Sequence, residues 1–306
     1  MVSERTADEV FGLLSDEIRL DILRAVAVAQ KEESSNGEAS LSFSNIYDRV
    51  SVANTSKLSY HLGELTGTFL RKHEDGYAFT HAGERLVRFI LSENYERPED
   101  IGIIETDGVC LYCDEAALQA TIEDQYFMIR CPACERPAFA YRVQPAQVRS
   151  HSGDEVVESV ISEQAGDLLK TLQGICPDCG GKLETTVVDA SGQSTENSVP
   201  VSFAAISECQ KCLRQVGIPL PYAAAYHPES IAFHWEHEVD ILGSGFWEFH
   251  SYLSNSQWAS DRVRSDPDEY CVKFEHGTTV LRIFLDSNAS VTRTERVQTR
   301  DQSDRR

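Results

Sequence analysis

The sequence predicts a multidomain α+β chain. It has a helical N-terminal segment carrying one hairpin, two modules each folded around four cysteines, and a C-terminal α+β region. Three observations carry that expectation. Eight of the nine cysteines fall into four Cys-x-x-Cys pairs, Cys110/Cys113, Cys131/Cys134, Cys176/Cys179 and Cys209/Cys212. Before Cys110 there is no cysteine, and apolar residues recur at helical spacing. After about residue 260, short apolar segments alternate at the period of strands.

Leu13, Leu14, Ile18, Ile22, Leu23 and Val26 predict helices over residues 7–14 and 17–29, broken at Ser15-Asp16, where either residue suits an N-cap. The polar run over residues 30–38 reads as a loop. Leu41 to Phe43 is short and extended, Ser44 is expected to cap a third helix, and a fourth runs over residues 55–66. The period then changes. Residues 69–73 and 77–79 read as strands around Glu74-Asp75-Gly76, in which Asp-Gly supplies the positive φ of a tight hairpin. Thr80 caps a last helix, expected to run to about residue 95. Four helices, a hairpin and a helix in this order make a winged helix-turn-helix, assigned to residues 1–97. Residues 101–148 form the first four-cysteine module. Residues 149–221 hold a helix over 153–172 and the second module, with strands at 182–188 and 199–207 and a Ser/Gly/Asn-rich loop at 190–198. Residues 222–296 form the C-terminal region, for effector binding or dimerisation, with helices at 228–239 and around 246–249 and strands at 261–264, 270–275, 279–285 and 290–296. Residues 297–306 read as a disordered tail.

Composition narrows the partners. The chain has 306 residues and a net charge of −21, and its 28 basic residues include only 7 lysines against 21 arginines. Acidic excess with little lysine is a solvation strategy for very high salt, although an ordinary acidic soluble protein is the plainer reading. Residues 1–97 carry 11 basic and 16 acidic residues, a net of −5, leaving −16 for the rest. No apolar run reaches the roughly 18 residues of a membrane span. The N-terminus lacks the apolar core of a secretory signal. A cytoplasmic protein is therefore expected, with no membrane partner, and reduced cysteine pairs there read as metal ligands.

Zinc takes four thiolates at tetrahedral corners, and two cysteines two residues apart can turn both sulfurs toward one point. The gaps of 17 residues between the first two pairs and 29 between the last two favour sequential pairing, which closes the shortest loops. Interleaved pairing is the alternative. Two structural zinc ions are expected, one on Cys110, Cys113, Cys131 and Cys134 and one on Cys176, Cys179, Cys209 and Cys212. Four thiolates leave no position for a reactive water, so these sites are scaffold. Cys271 reads as an inert thiol in a strand. His234 and His237 share a helix face and could bind metal with His250 or Cys271, but core or surface histidines are the plainer reading.

On the fourth helix Leu58, Leu62 and Leu65 must pack inward. The opposite face carries Ser56, Lys57, Tyr60 and Glu64, with Thr55 and Ser59 on its flanks; hydroxyls, an amine and a phenol suit base edges and phosphates in a major groove. Asn54 and Thr55 stand at the helix start, where phosphate binds. Arg71, Lys72 and His73 on the hairpin would lie along the backbone of double-stranded DNA. Glu64, Glu74 and Asp75 oppose this, but at molar salt screening acts within about 3 Å. A solvated helix face is the bland alternative.

Residues 7–95 resemble the ArsR-like winged-helix regulators. The residues that carry the likeness run from Val10 through Phe11-Gly12-Leu13-Leu14-Ser15-Asp16-Glu17-Ile18-Arg19 to Leu23, then Leu58-Ser59-Tyr60-His61-Leu62 with Leu65, then Tyr77, Thr80, Ala82 and Gly83. Nearly the whole chain resembles predicted transcriptional regulators of extremely halophilic archaea that join such a domain to a cysteine-pair region and a C-terminal domain. The resemblance implies sequence-specific DNA binding and a homodimer. Metal-sensing members carry a cysteine motif on an early helix, and this chain has none there. The alternatives are a basal factor resembling archaeal transcription factor E and a zinc-ribbon adaptor that binds protein. No phosphate loop, nucleophile elbow or paired-carboxylate constellation is present, so no catalytic residue is assigned and no enzyme is expected.

Overall fold

A computed structural model describes residues 5–33, 40–191 and 201–298. It is mixed α+β and divides into two compact units, Met1–Arg97 and Pro98–Arg306.

In the first unit, α1 (Ala7–Gly12) passes through a 3-10 turn, Leu13–Ser15, into α2 (Glu17–Glu33). The second helix runs four residues beyond its expected end, because Gln30, Lys31, Glu32 and Glu33 are polar but good helix formers. The rest of the expected loop lies outside the described residues. Helix α3 (Phe43–Arg49) is capped by Ser42, whose hydroxyl accepts from Asn45 N–H at 3.2 Å; Ser44, the expected cap, lies one residue inside the helix. Helix α4 (Thr55–Leu65) buries Leu58, Leu62 and Leu65 against Ile22, Leu23 and Val26 of α2 and Ile46 of α3.

Strands β1 (Leu70–Lys72) and β2 (Tyr77–Phe79) make the hairpin, and Leu41 adds an antiparallel bridge to Tyr77. Of the Asp75-Gly76 pair it is Gly76 that takes the positive φ, at 157°. Space adds a second need for glycine: a Cβ on Gly76 would sit 2.4 Å from Leu41 O. Thr80 caps α5 (His81–Leu91) through Gly83 N–H, and α5 ends four residues before the expected 95. A side chain at Gly83 would meet Phe69 O at 2.0 Å, so glycine lets α5 cross the turn that joins α4 to the hairpin.

The second unit holds three antiparallel sheets, each a simple meander. The first is β3 (Ile104–Thr106), β4 (Leu118–Glu123), β5 (Tyr126–Arg130) and β6 (Pro137–Arg142). Short α6 (Pro145–Ser150) leads to α7 (Asp154–Leu172). The second sheet is β7 (Leu183–Asp189), β8 (Phe203–Cys209) and β9 (Gln215–Pro219). Strand β8 starts four residues later than expected, and residues 192–198 of the expected loop lie outside the described residues. After α8 (Leu220–Ala225), α9 (Pro228–Trp235) and α10 (His250–Ser254) come β10 (Trp258–Ser265), β11 (Asp268–His276), β12 (Thr279–Asp286) and β13 (Val291–Gln298). Val297 and Gln298, assigned to the tail, pair with Val280 and Thr279; the remaining tail residues lie outside the described set.

Helix α7 serves two cores. Val160 and Ile161 pack with Leu118, Phe127, Ile129 and Trp247 of the first-sheet core. One turn on, Ala165 and Leu168 enter a larger core with Ile218, Phe233, Trp258, Phe274 and Ile283. That second core joins β7–β9 to β10–β13, so the expected division at 221/222 falls inside it.

Candidate metal centres and a candidate nucleic-acid face

The two meanders bring the cysteine pairs together. Cys110 and Cys113 lie in the β3–β4 connection, Cys131 and Cys134 in the β5–β6 connection, and alternate turns of a meander fall at one end of the sheet. In the second sheet Cys209 pairs with Leu183, which sets the β8–β9 turn beside the segment holding Cys176 and Cys179. That segment is aimed by the end of α7. Gly174, at φ 74°, donates to Thr171 O and Ile175 donates to Lys170 O, a Schellman stop that delivers the chain to Cys176.

All four knuckles share one backbone. The first cysteine's N–H donates to the carbonyl five residues on, in Cys110→Glu115, Cys131→Arg136, Cys176→Gly181 and Cys209→Arg214. The residue after the second cysteine donates back to the first cysteine's carbonyl and takes a left-handed φ: Asp114 56°, Glu135 59°, Gly180 72° and Leu213 61°. Gly181 lacks a side chain for a different reason, since a Cβ there would stand 3.2 Å from Cys179 Sγ and 3.3 Å from Cys209 Sγ.

The sulfurs form two groups of four, Cys110/Cys113/Cys131/Cys134 and Cys176/Cys179/Cys209/Cys212, each with all Sγ atoms within 4.8 Å of one another. This is the sequential pairing. Cys110–Cys134 and Cys113–Cys131 are 3.6 Å apart, as is Cys176–Cys212, and Cys179–Cys209 is 3.5 Å. An ion at roughly 2.3 Å from four tetrahedral sulfurs would hold them about 3.8 Å apart, so both sets fit a metal ion closely. Backbone N–H groups of Cys212 and Lys211 draw the Cys209 thiol down to about 6, and that of Arg136 draws Cys134 to about 7. Each set thus holds a sulfur inclined to be thiolate, while burial pushes Cys110 up to about 12. The Arg136 guanidinium lies over the Tyr112 ring at 4.9 Å, tying the two knuckles of the first set.

A family model described as Domain of unknown function (DUF7351) matches residues 107–291, more than half of the chain. The chain belongs to this DUF7351 family. The DUF7351 match spans all eight paired cysteines, the larger core and the first-sheet core apart from Ile101 and Ile104. A second model, described as Domain of unknown function (DUF7347), matches residues 7–90, ahead of the DUF7351 segment. No curated protein and no solved structure matches the chain.

Outside the sulfur sets, the DUF7351 segment gathers His234, His237 and His276. Their Nδ1 or ring contacts are internal: His234 and His237 each donate Nδ1–H to the carbonyl four residues back at 2.7 Å, and His276 stacks on His237 at 4.8 Å. His250 lies against Tyr222 instead, and Cys271 is half-buried in β11. Burial pushes His234, His250 and His276 down to about 4. Among the described residues only the two cysteine sets bring three or more metal-ligating atoms together, so the pairing of His234 and His237 with His250 or Cys271 is not formed.

In the segment matched by DUF7347, Asn54, Thr55, Ser56, Lys57, Ser59 and Tyr60 are all exposed along one side of α4, opposite its leucines. Asn54 is the N-cap: its Oδ1 accepts from Lys57 N–H at 2.9 Å, which leaves only its amide N–H2 to face outward. Phe69 N–H donates to Leu65 O, and a tight turn carries α4 straight into the hairpin. Arg71, Lys72 and His73 are exposed there, with the Lys72 ammonium 6.0 Å from the Tyr77 ring. Phe11, Phe89, Leu91 and Tyr95 are large apolar residues left exposed on this unit. No helix among the described residues is long and apolar enough to cross a membrane.

Proposed function

We propose that this chain is a DNA-binding transcriptional regulator of a halophilic archaeon, in which the first unit is an ArsR-like winged helix-turn-helix. The observation that carries the reading is α4. Its leucine face is fully buried, its start is capped, its outer face carries Ser56, Lys57 and Tyr60 with Glu64 at its far end and Thr55 and Ser59 on its flanks, and a hairpin bearing Arg71, Lys72 and His73 follows within a turn. A helix of this kind is what a major groove accepts. The exposed Phe89 and Tyr95, whose rings meet at 5.9 Å, support a homodimer, since neighbouring apolar residues of this size cover well against a second copy. Each four-cysteine set holds one zinc ion as scaffold, because four thiolates favour zinc and leave no open position. The protein acts in the cytoplasm, where its thiols stay reduced.

Footprinting on the protein's own promoter in molar salt tests this reading. A protected site is expected, and Lys57→Ala and Tyr60→Ala should each weaken binding by about 1 to 3 kcal/mol. Protection indifferent to both substitutions, or stoichiometric co-purification with RNA polymerase in place of operator binding, overturns it. Metal analysis of the purified chain should return two zinc ions per chain.

A further inference from the structure

The two sulfur sets repeat one relation between their knuckles. The residue just before the second cysteine of the earlier knuckle, Tyr112 or Asp178, meets the arginine that closes the later knuckle, Arg136 or Arg214. Each arginine's carbonyl accepts from the first cysteine of that later knuckle, Cys131 or Cys209. In the first set the contact is a ring beneath a guanidinium at 4.9 Å. In the second it is an ion pair, Asp178 Oδ2 to Arg214 Nη1 at 3.5 Å, and the carboxylate reaches further: Asp178 Oδ1 accepts from Arg142 Nη1 at the end of β6. Arg142 Nη2 donates to Asp167 of α7 at 2.6 Å, and Tyr141 Oη donates to the same Asp167 oxygen at 2.7 Å. The guanidinium fork therefore joins the last strand of the first sheet to α7 on one side and to a knuckle of the second set on the other. With the Arg142 side chain 25 % and Asp167 16 % exposed, these are stronger than solvated surface pairs.

We propose that Asp178 is a latch through which metal occupancy of the second sulfur set controls the first sheet. The latch rests on the reading that each set holds a metal ion. Metal binding and folding are one event in modules of this kind, so the knuckle around Asp178 keeps its shape only while an ion holds Cys176 and Cys179. With the ion in place, Asp178 is presented to Arg142 and Arg214 together. When the ion leaves, the knuckle opens, Arg142 loses one of its two carboxylates, and β6 stays on α7 through Asp167 and Tyr141. The direction of control follows from access. Cys179 and Cys212 of the second set are exposed, whereas in the first set only Cys113 is. Cys110 and Cys131 of the first set sit in a core with Leu118, Phe127 and Trp247, while Cys176 and Cys209 of the second share theirs with Leu183. A metal-binding competitor in solution thus meets the second set first, and the first sheet is where the loss is felt. The inference stands whether or not the first unit reads DNA.

Hydrogen exchange read by mass spectrometry on the full-length, zinc-loaded protein tests the latch. Asp178→Asn keeps the size of the side chain and removes its charge. Exchange over residues 126–142, the β5–β6 hairpin, should rise by about threefold to tenfold, with two ions still bound and β7 and β8 unchanged. Arg142→Gln should raise the same exchange, and Asp178→Asn added to it should change nothing further. Cys212→Ser, which disables the second set, should also loosen residues 126–142 and make Asp178→Asn silent. The Asp178→Asn and Arg142→Gln pair decides the matter even where the cysteine variant fails to fold. Unchanged exchange over 126–142 in Asp178→Asn, loosening confined to the knuckles at 174–181 and 209–215, or fully additive effects of Asp178→Asn and Arg142→Gln overturns the latch alone. Fewer than two ions on the wild-type chain overturns the metal reading with it.

Discussion

At the residue scale, the four knuckles separate backbone from side chain. Position after position they repeat one left-handed residue, and only Gly180 of the four is glycine. Nothing lies within 4 Å of a Cβ built on Gly180, so Gly180→Ala isolates the backbone cost. A loss of about 1 kcal/mol in a chemical denaturation of the zinc-loaded protein is expected, with metal stoichiometry unchanged. The histidines give a second prediction. His234 and His250 stay neutral to about 4 in the fold but take up a proton near 6.5 when unfolded. Their contribution is therefore fully present above about pH 6.5 and lost as pH falls through about 4, at roughly 3 kcal/mol for each of these buried rings. NMR titration of their Cε1 protons checks it; an ordinary midpoint near 6.5 for either ring refutes it. The eight paired cysteines were legible because two-residue spacing is a local signal. His276, which stacks on His237, was not, since a strand residue 39 positions away leaves no periodic trace.

At the element scale, helices with a single buried stripe were readable and those without one were not. Leu58, Leu62 and Leu65 announced α4 and its orientation. Helix α8 escaped notice because all six of its residues are buried, so no amphipathic period exists. Strands β3 to β6 are short and broken by knuckles, and β9 is five residues with a glycine in the middle. The end of α2 is not legible from polarity, because Gln30 to Glu33 are polar and still good helix formers. Element-level changes have distinct expected costs. Asn54→Ala removes the cap of α4 and should cost about 1 kcal/mol. Leu62→Ala opens the core between α2 and α4 and should cost about 2 to 5 kcal/mol. Thermal unfolding of the two variants, followed by far-UV circular dichroism, ranks them.

On the scale of the whole molecule, the units differ in what holds them. The first unit has a core of Leu13, Ile22, Leu23, Leu58, Leu62, Phe69 and Val87 and no cysteine. In the second unit both small sheets close onto sulfur sets. Chelation should therefore unfold the second unit and leave the first folded, read as retained helical signal with loss of near-ultraviolet signal from Trp247 and Trp258. Simultaneous loss of both units would contradict this. Helix α7 has a further consequence. Its Val160 and Ile161 belong to the core beside the first sulfur set, its Ala165 and Leu168 to the core beside the second, and Gly174 hands the chain directly to Cys176. Whichever ion binds first orders this helix, and the second ion then binds without that entropic cost. Metal ions added to the two sets should load cooperatively, so that native mass spectra at half saturation contain empty and doubly loaded chains and few with one ion.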